Sequence, residues 1–440
     1  MRKWPWRHIA AYGAAVLVIA GVLTYGLYQQ NQKRLYQRYL SGLYTKSYYE
    51  LIDNMNNLEI GLSKLTVSGG PEQHLELLAG ISRLSEQAQE SLAQLPVSHV
   101  LLSDAMNFAN QTYDYACMLY GQAAAGTPIS SAERQSVEDL YRTSQDLKQQ
   151  LEAADVSELV NVLPSVETYY EEQTASSGTD QTNQPVEYPT LIYDGPFSDA
   201  AQNKAPKGLP SQNADAAQAE AMALRFLGEE TTDTLQRQED VGGSIPCYTF
   251  QTSSEADATV VQVSRKGGQV IRVLGRGPEE EGSLSEAECL EIARDLLQRM
   301  GYPSVQAAHV QKYAGCYFIN FVPIQAGVWL YPDLIKVKVS TQDGSIAGFD
   351  ATGYYANHVE RKLAKPVLAA REAILRAGTS LEIQRVRLAL IPTDNRGEQL
   401  CYEVTGAKGS DTYMAYINAK TGREEEIFKI IDTANGPLVM

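Results

Sequence analysis

The chain has 440 residues, 44% of them apolar and 20% charged, with 37 Lys and Arg against 53 Asp and Glu and a net charge of −16. That length and balance call for several folded cores. The excess of acid excludes nucleic acid as a partner, because binding to a polyanion is dominated by Lys and Arg neutralising phosphates.

Residues 9–28 carry no charge and are rich in Ala, Val, Leu, Ile and Gly, and a helix of that length covers a bilayer core of about 30 Å. Trp4 and Trp6 precede the stretch and Tyr25 and Tyr28 close it, where aromatic rings sit at membrane interfaces. The run is longer than the core of a cleaved signal peptide and passes straight into a helical pattern. The expectation is an uncleaved single-pass transmembrane anchor, with residues 1–8 as a cytoplasmic tail and the bulk of the chain outside, since long domains translocate largely regardless of charge.

Residues 29–172 read as a helical bundle. Tyr44, Tyr48, Leu51, Met55, Leu58, Leu62 and Leu65 keep a four-three spacing that makes one apolar seam on a long helix. A break at Ser68-Gly69-Gly70-Pro71 leads to a second seam of Leu77, Ile81, Leu84, Ala88, Leu92 and Leu95, and Leu101, Ala105, Phe108, Tyr115 and Leu119 make a third. Ser130 and Glu133 then form a capping-box pattern ahead of Val137, Leu140, Leu147 and Leu151. Helices apolar along one stripe must bury it, so an antiparallel bundle of four or five is expected, with an extended coiled-coil dimer as the alternative.

Residues 173–212 change to a polar, linker-like composition. Within them Pro189-Thr-Leu-Ile-Tyr193-Asp-Gly-Pro-Phe197-Ser198 is too apolar for plain linker, and is expected to dock on a folded surface, either of this chain or of a partner.

A Cys-Tyr pair followed by an alternating stretch and a glycine then comes three times. Cys247-Tyr248 leads to Gly268, Cys316-Tyr317 to Gly344 and Cys401-Tyr402 to Gly422. Val263, Val339 and Ile417 stand five residues before each glycine. Alternation marks a half-buried strand, and the glycine supplies the positive φ of a tight hairpin. The Cys-to-Gly interval is 21, 28 and 21 residues, the middle copy carrying an insertion around Trp329. Each copy starts with a helical pattern, so three tandem α+β units are expected over 213–278, 283–361 and 362–432, each a helix packed on an antiparallel sheet and each too small to be stable without its neighbours.

No pattern of nucleophile with base, no phosphate-cradling loop and no metal-ligand spacing is present. The five cysteines (Cys117, Cys247, Cys289, Cys316 and Cys401) include no CxxC, and three of them fall at equivalent places in separate repeats, where small buried side chains are expected rather than disulfides. The runs Glu279-Glu280-Glu281 and Glu424-Glu425-Glu426 read as solvated. A chain with no catalytic residues, cofactor or metal is expected.

Pro189 to Ser198, Tyr331-Pro332-Asp333-Leu334-Ile335-Lys336-Val337-Lys338-Val339, Gly348-Phe349-Asp350, and Gly353-Tyr354 through Asn357-His358 to Arg361 resemble the spore germination protein YpeB family, and the three repeats resemble its PepSY modules. The resemblance implies a non-enzymatic protein in the spore inner membrane, with its bulk on the cortex side. It would act with a cortex-lytic, SleB-like enzyme and support cortex peptidoglycan hydrolysis at germination. A hydrolase in its own right and a membrane-tethered sensor are the alternatives; homo-oligomerisation is open. Tyr193, Phe197, Trp329 and Tyr331 are the candidate partner contacts, as aromatic residues in insertions and linkers are enriched at interfaces.

Overall fold

The computed structural model describes residues 6–95, 100–154, 197, 206–228, 234–253, 258–275, 277–278, 281–302, 304–378, 380–393, 397–433 and 436–440. Contacts divide the chain into two units, Met1–Thr66 with Leu75–Pro185, and Val67–His74 with Val186–Met440.

The first unit is helical, built from α1 (Trp6–Val67), α2 (Pro71–Ala93), α3 (Val100–Ala124) and α4 (Ser131–Ala153). The α1 seam of Tyr48, Leu51, Met55, Leu58, Leu62 and Leu65 is buried in one cluster with Ile81 and Leu92 of α2, Ala105, Phe108 and Leu119 of α3, and Val137 and Leu151 of α4. Each buried leucine contributes about 1.5–3 kcal/mol over leaving it in water. That packing stabilises helices that would be marginal alone. The start of α4 is a capping box: the Glu133 amide donates to Ser130 Oγ at 3.3 Å and the Ser130 amide donates to Glu133 Oε2 at 2.7 Å.

The transmembrane helix expected over 9–28 is overturned. Among the described residues no helix is long and apolar enough to cross a membrane. The apolar stretch is the start of α1, which continues unbroken for 62 residues. Its side chains described from Thr24 on include Gln29, Gln30, Gln32, Arg34 and Arg38, all exposed.

The second unit joins its repeats into one sheet. The first has α5 (Ala216–Leu227), β1 (Leu235–Arg237), β2 (Cys247–Thr252), β3 (Val260–Ser264) and β4 (Val270–Leu274). The second has α6 (Glu286–Arg299), β5 (Val305–Tyr313), β6 (Cys316–Gln325), β7 (Val328–Leu330), a 3-10 turn (Tyr331–Asp333), β8 (Ile335–Ser340), β9 (Ile346–Asp350) and α7 (Thr352–Asn357). The third has α8 (Ala370–Arg376), β10 (Glu382–Thr393), β11 (Gly397–Lys408), β12 (Asp411–Asn418), β13 (Glu424–Thr433) and β14 (Gly436–Val439). The strand order is β1-β2-β3-β4-β9-β8-β6-β7-β10-β11-β12-β13-β14, with β5 paired to β6.

The register makes the three copies equivalent. Tyr248 pairs with Val263, Tyr317 with Val339 and Tyr402 with Ile417. Gly268, Gly344 and Gly422 all have positive φ, at 61°, 76° and 75°, where a Cβ would be strained. The tyrosine keeps one further role in two copies: its hydroxyl donates to the carbonyl of Ala214 just before α5 and to that of Leu368 just before α8.

What the repeats do not have is separate sheets. β6 pairs through Cys316–Phe321 with β8 and through Ile324 and Gln325 with β7. β7 in turn pairs parallel with β10 of the third repeat, Trp329 opposite Ala389. The insertion around Trp329 is therefore the strand that carries the sheet from the second repeat into the third.

Candidate functional site

Two clusters of buried charge lie where β7 and the 3-10 turn meet the third repeat. The first is centred on Glu403 of β11. Period two places Glu403 on the same side of the strand as Cys401, a side that packs against Ala389, Met414 and Tyr416. Glu403 is fully buried, and a carboxylate in that position needs partners. Its Oε1 lies 2.8 Å from Arg387 Nε, and its Oε2 accepts from Tyr331 at 2.8 Å, from Arg387 Nη2 at 3.0 Å and from Tyr416 at 3.3 Å. Burial, with the Glu403 charge second, raises the Tyr331 and Tyr416 phenols well above their ordinary values, so both remain donors. Burial works against the Arg387 charge, but Tyr331 and Glu403 outweigh it and the net shift is upward. The Arg387 guanidinium also lies 3.4 Å from the centroid of the Trp329 ring, a cation–π contact.

An aromatic cage stands over this cluster. Phe197 packs edge to face on Tyr331, Tyr416 and Phe428 at centroid distances of 5.4, 5.2 and 5.5 Å. Its φ is +67°, a left-handed conformation uncommon outside glycine.

The second cluster is centred on Asp333. Arg361 grips it with two nitrogens, Nη1 to Oδ2 at 2.8 Å and Nη2 to Oδ1 at 2.7 Å, and reaches Glu398 through Nε and Nη2 at 2.8 and 2.7 Å. His358 Nδ1 lies 2.7 Å from Asp333 Oδ2, and its ring stacks on Tyr354 with centroids 4.3 Å apart. Burial disfavours the Arg361 charge, but hydrogen bonds to Glu398 and Asp333 outweigh it and raise its pKa. Planar bidentate pairing of this kind is strong and directional. It ties the 3-10 turn, the segment after α7 and the β10–β11 hairpin to one another.

Of the candidate contacts, Phe197, Trp329 and Tyr331 come together at the first cluster, Tyr331 only 2% exposed and Trp329 half-buried. Tyr193 lies outside the described residues. The glutamate run at the start of β13 is not solvated as expected. Glu424 and Glu425 are buried, because Glu424 Oε2 accepts from Ser68 Oγ and the Gly69 and Gly70 amides at 3.0, 3.0 and 2.7 Å, and Glu425 Oε1 accepts from Asn418 Nδ2 at 2.8 Å. Glu281 of the other run is exposed.

Sequence reasoning missed Glu403, Arg387, Asp333 and Arg361. A signal was present for Glu403: a charge two residues from Cys401, at an inward position of an alternating strand. The four buried thiols offer no nucleophile. Burial pushes Cys247 up to about 11, and shifts Cys289, Cys316 and Cys401 in the same direction, so all four stay protonated near neutral pH. Among the described residues no group of three or more His, Cys, Asp and Glu could hold a metal ion.

A helical unit followed by three helix-and-hairpin repeats defines a modular protein, and the family comparisons give those repeats the PepSY type. The family description "YpeB N-terminal" matches residues 32–161, "YpeB sporulation, PepSY1 and PepSY2 domains" matches 179–364, and "Peptidase propeptide and YPEB domain" matches 368–428. The chain belongs to the YpeB sporulation protein family. It is similar to proteins named sporulation protein YpeB from Halalkalibacterium halodurans (25% identical, 94% of this chain and 96% of that one), Oceanobacillus iheyensis (22%, 96% of each) and Bacillus subtilis (21%, 96% of each). The solved Bacillus megaterium YpeB C-terminal domain aligns over 50% of this chain and 98% of its own length, with 27% identity and a TM-score of 0.46.

Proposed function

We propose that this chain is a non-catalytic partner of a SleB-like cortex-lytic enzyme, which it holds and stabilises in the dormant spore so that cortex peptidoglycan is broken down at germination. The observation that carries the non-catalytic reading is the state of the two carboxylates buried beside β7. Acid and base catalysis on a glycan needs two carboxyl groups about 5–9.5 Å apart across a substrate cleft. Here Asp333 is held by Arg361 and His358, and Glu403 by Arg387 and two tyrosines. Family membership supports the place in sporulation. Holding would act by linkage, since a partner that binds only the folded enzyme shifts it away from unfolding and proteolysis.

Two measurements test this. Deleting residues 213–432 is expected to deplete the hydrolase from dormant spores; an unchanged hydrolase level overturns the holding role. Purified full-length chain incubated with cortex fragments is expected to release no reducing sugar, and release would overturn the non-catalytic reading.

A further inference from the structure

Phe197 is the only described residue between Ala154 and Pro206, and its position is defined by rings. Tyr331 and Tyr416 meet edge to face at 6.0 Å, and Tyr416 and Phe428 do the same at 6.0 Å. The walls therefore support one another without Phe197. Both tyrosine hydroxyls are engaged by Glu403, which fixes the ring planes and leaves their faces and edges to whatever enters. Phe197 enters with all three contacts near perpendicular, at 64°, 77° and 87°, the arrangement favoured by ring quadrupoles. It does so at φ +67°, which is unfavourable for a side chain with a Cβ. A pre-built socket thus holds the ring of a residue in a left-handed conformation, and that residue remains only half-buried.

We infer that the socket of Tyr331, Tyr416 and Phe428 is a binding site for a peptide that presents a phenylalanine from a turn, occupied in cis by Phe197 and available to such a peptide in trans when Phe197 leaves. The cis occupant shows the chemistry: an aromatic ring carried on a left-handed residue. Tethered to the same chain, Phe197 competes at an effective concentration on the order of millimolar. A partner peptide has to exceed this, so its binding displaces the Phe197 ring. This site does not depend on the hydrolase reading.

The test uses full-length protein and a synthetic peptide with the sequence of residues 189–198. The peptide is titrated into wild type and into Phe197→Ala, with far-UV circular dichroism confirming that both are folded. Binding to Phe197→Ala at least about tenfold tighter than to wild type is expected, because the cis competitor is gone. A peptide with alanine in place of its phenylalanine is expected to lose that binding. Equal affinity of the peptide for the two folded proteins, or binding indifferent to the phenylalanine, overturns the inference. Should Phe197→Ala not fold, Phe197→Leu removes the ring while retaining volume, and the same two outcomes decide.

Discussion

In the first two repeats, Phe226 of α5, Leu297 of α6 and Phe349 of β9 belong to one apolar cluster that runs across both repeats, the Phe226 and Phe349 rings 5.0 Å apart. In the third, the equivalent hairpin backs onto a cluster that holds Cys401, Met414 and Tyr416 beside the buried Glu403–Arg387 pair. The same Cys-Tyr hairpin serves both. What differs is the neighbour. The first two repeats pack their helices and sheet around one shared apolar cluster, whereas the third meets β7 and the 3-10 turn, whose Trp329 and Tyr331 bring polar edges that a charge pair can satisfy.

The largest expected effect breaks the charged side of this comparison. Glu403→Ala leaves Arg387 buried without its counter-charge, and a loss of about 3–5 kcal/mol is expected. Urea unfolding measures the loss. Hydrogen exchange should accelerate in β10–β13 while β2–β4 stay protected; uniform acceleration would mean that the third repeat is not a separate polar core.

Leu297→Ala addresses the apolar side, at about 2–5 kcal/mol. Because the cluster is shared, exchange protection is expected to fall in the first and second repeats together. A loss confined to the second would show that the two cores are independent.

The third prediction is in acid. Burial lowers the pKa of His309 on β5 to about 4, whereas an unfolded histidine titrates near 6.5. Between those values the unfolded chain binds the extra proton, so the contribution of neutral His309 is complete above about pH 6.5 and is lost as pH falls towards 4. The effect is on the order of 2–3 kcal/mol. His309→Gln is expected to flatten that acid limb in a series of melts across pH; an unaltered slope would assign it to other groups.

How far the fold could be read in advance varies by element. The seam from Tyr48 to Leu65 and the capping box at Ser130 follow from spacing within one helix, where neighbours in space are three or four residues apart. The hairpin glycines follow likewise, because positive φ is a property of one residue. The anchor misled for the same local reason. A local apolar run reads as a span by itself, yet among the described residues no helix is long and apolar enough to cross a membrane. The site was harder. Phe197, Trp329 and Tyr331 stood out as aromatic residues in a linker and an insertion, but their convergence did not, and Glu424 read as solvated because its partners Ser68, Gly69 and Gly70 are more than 350 residues away.

By itself the sequence determined the helical seams, the three equivalent hairpins and the family, since each rests on periodicity or on contiguous motifs. Only the tertiary structure decided that the repeats form one sheet through β7, and that Asp333, Glu403 and Glu424 are buried with partners. A carboxylate is stable inside a protein only where donors distant in the chain converge on it, and that convergence is created by strand pairing rather than by any local pattern.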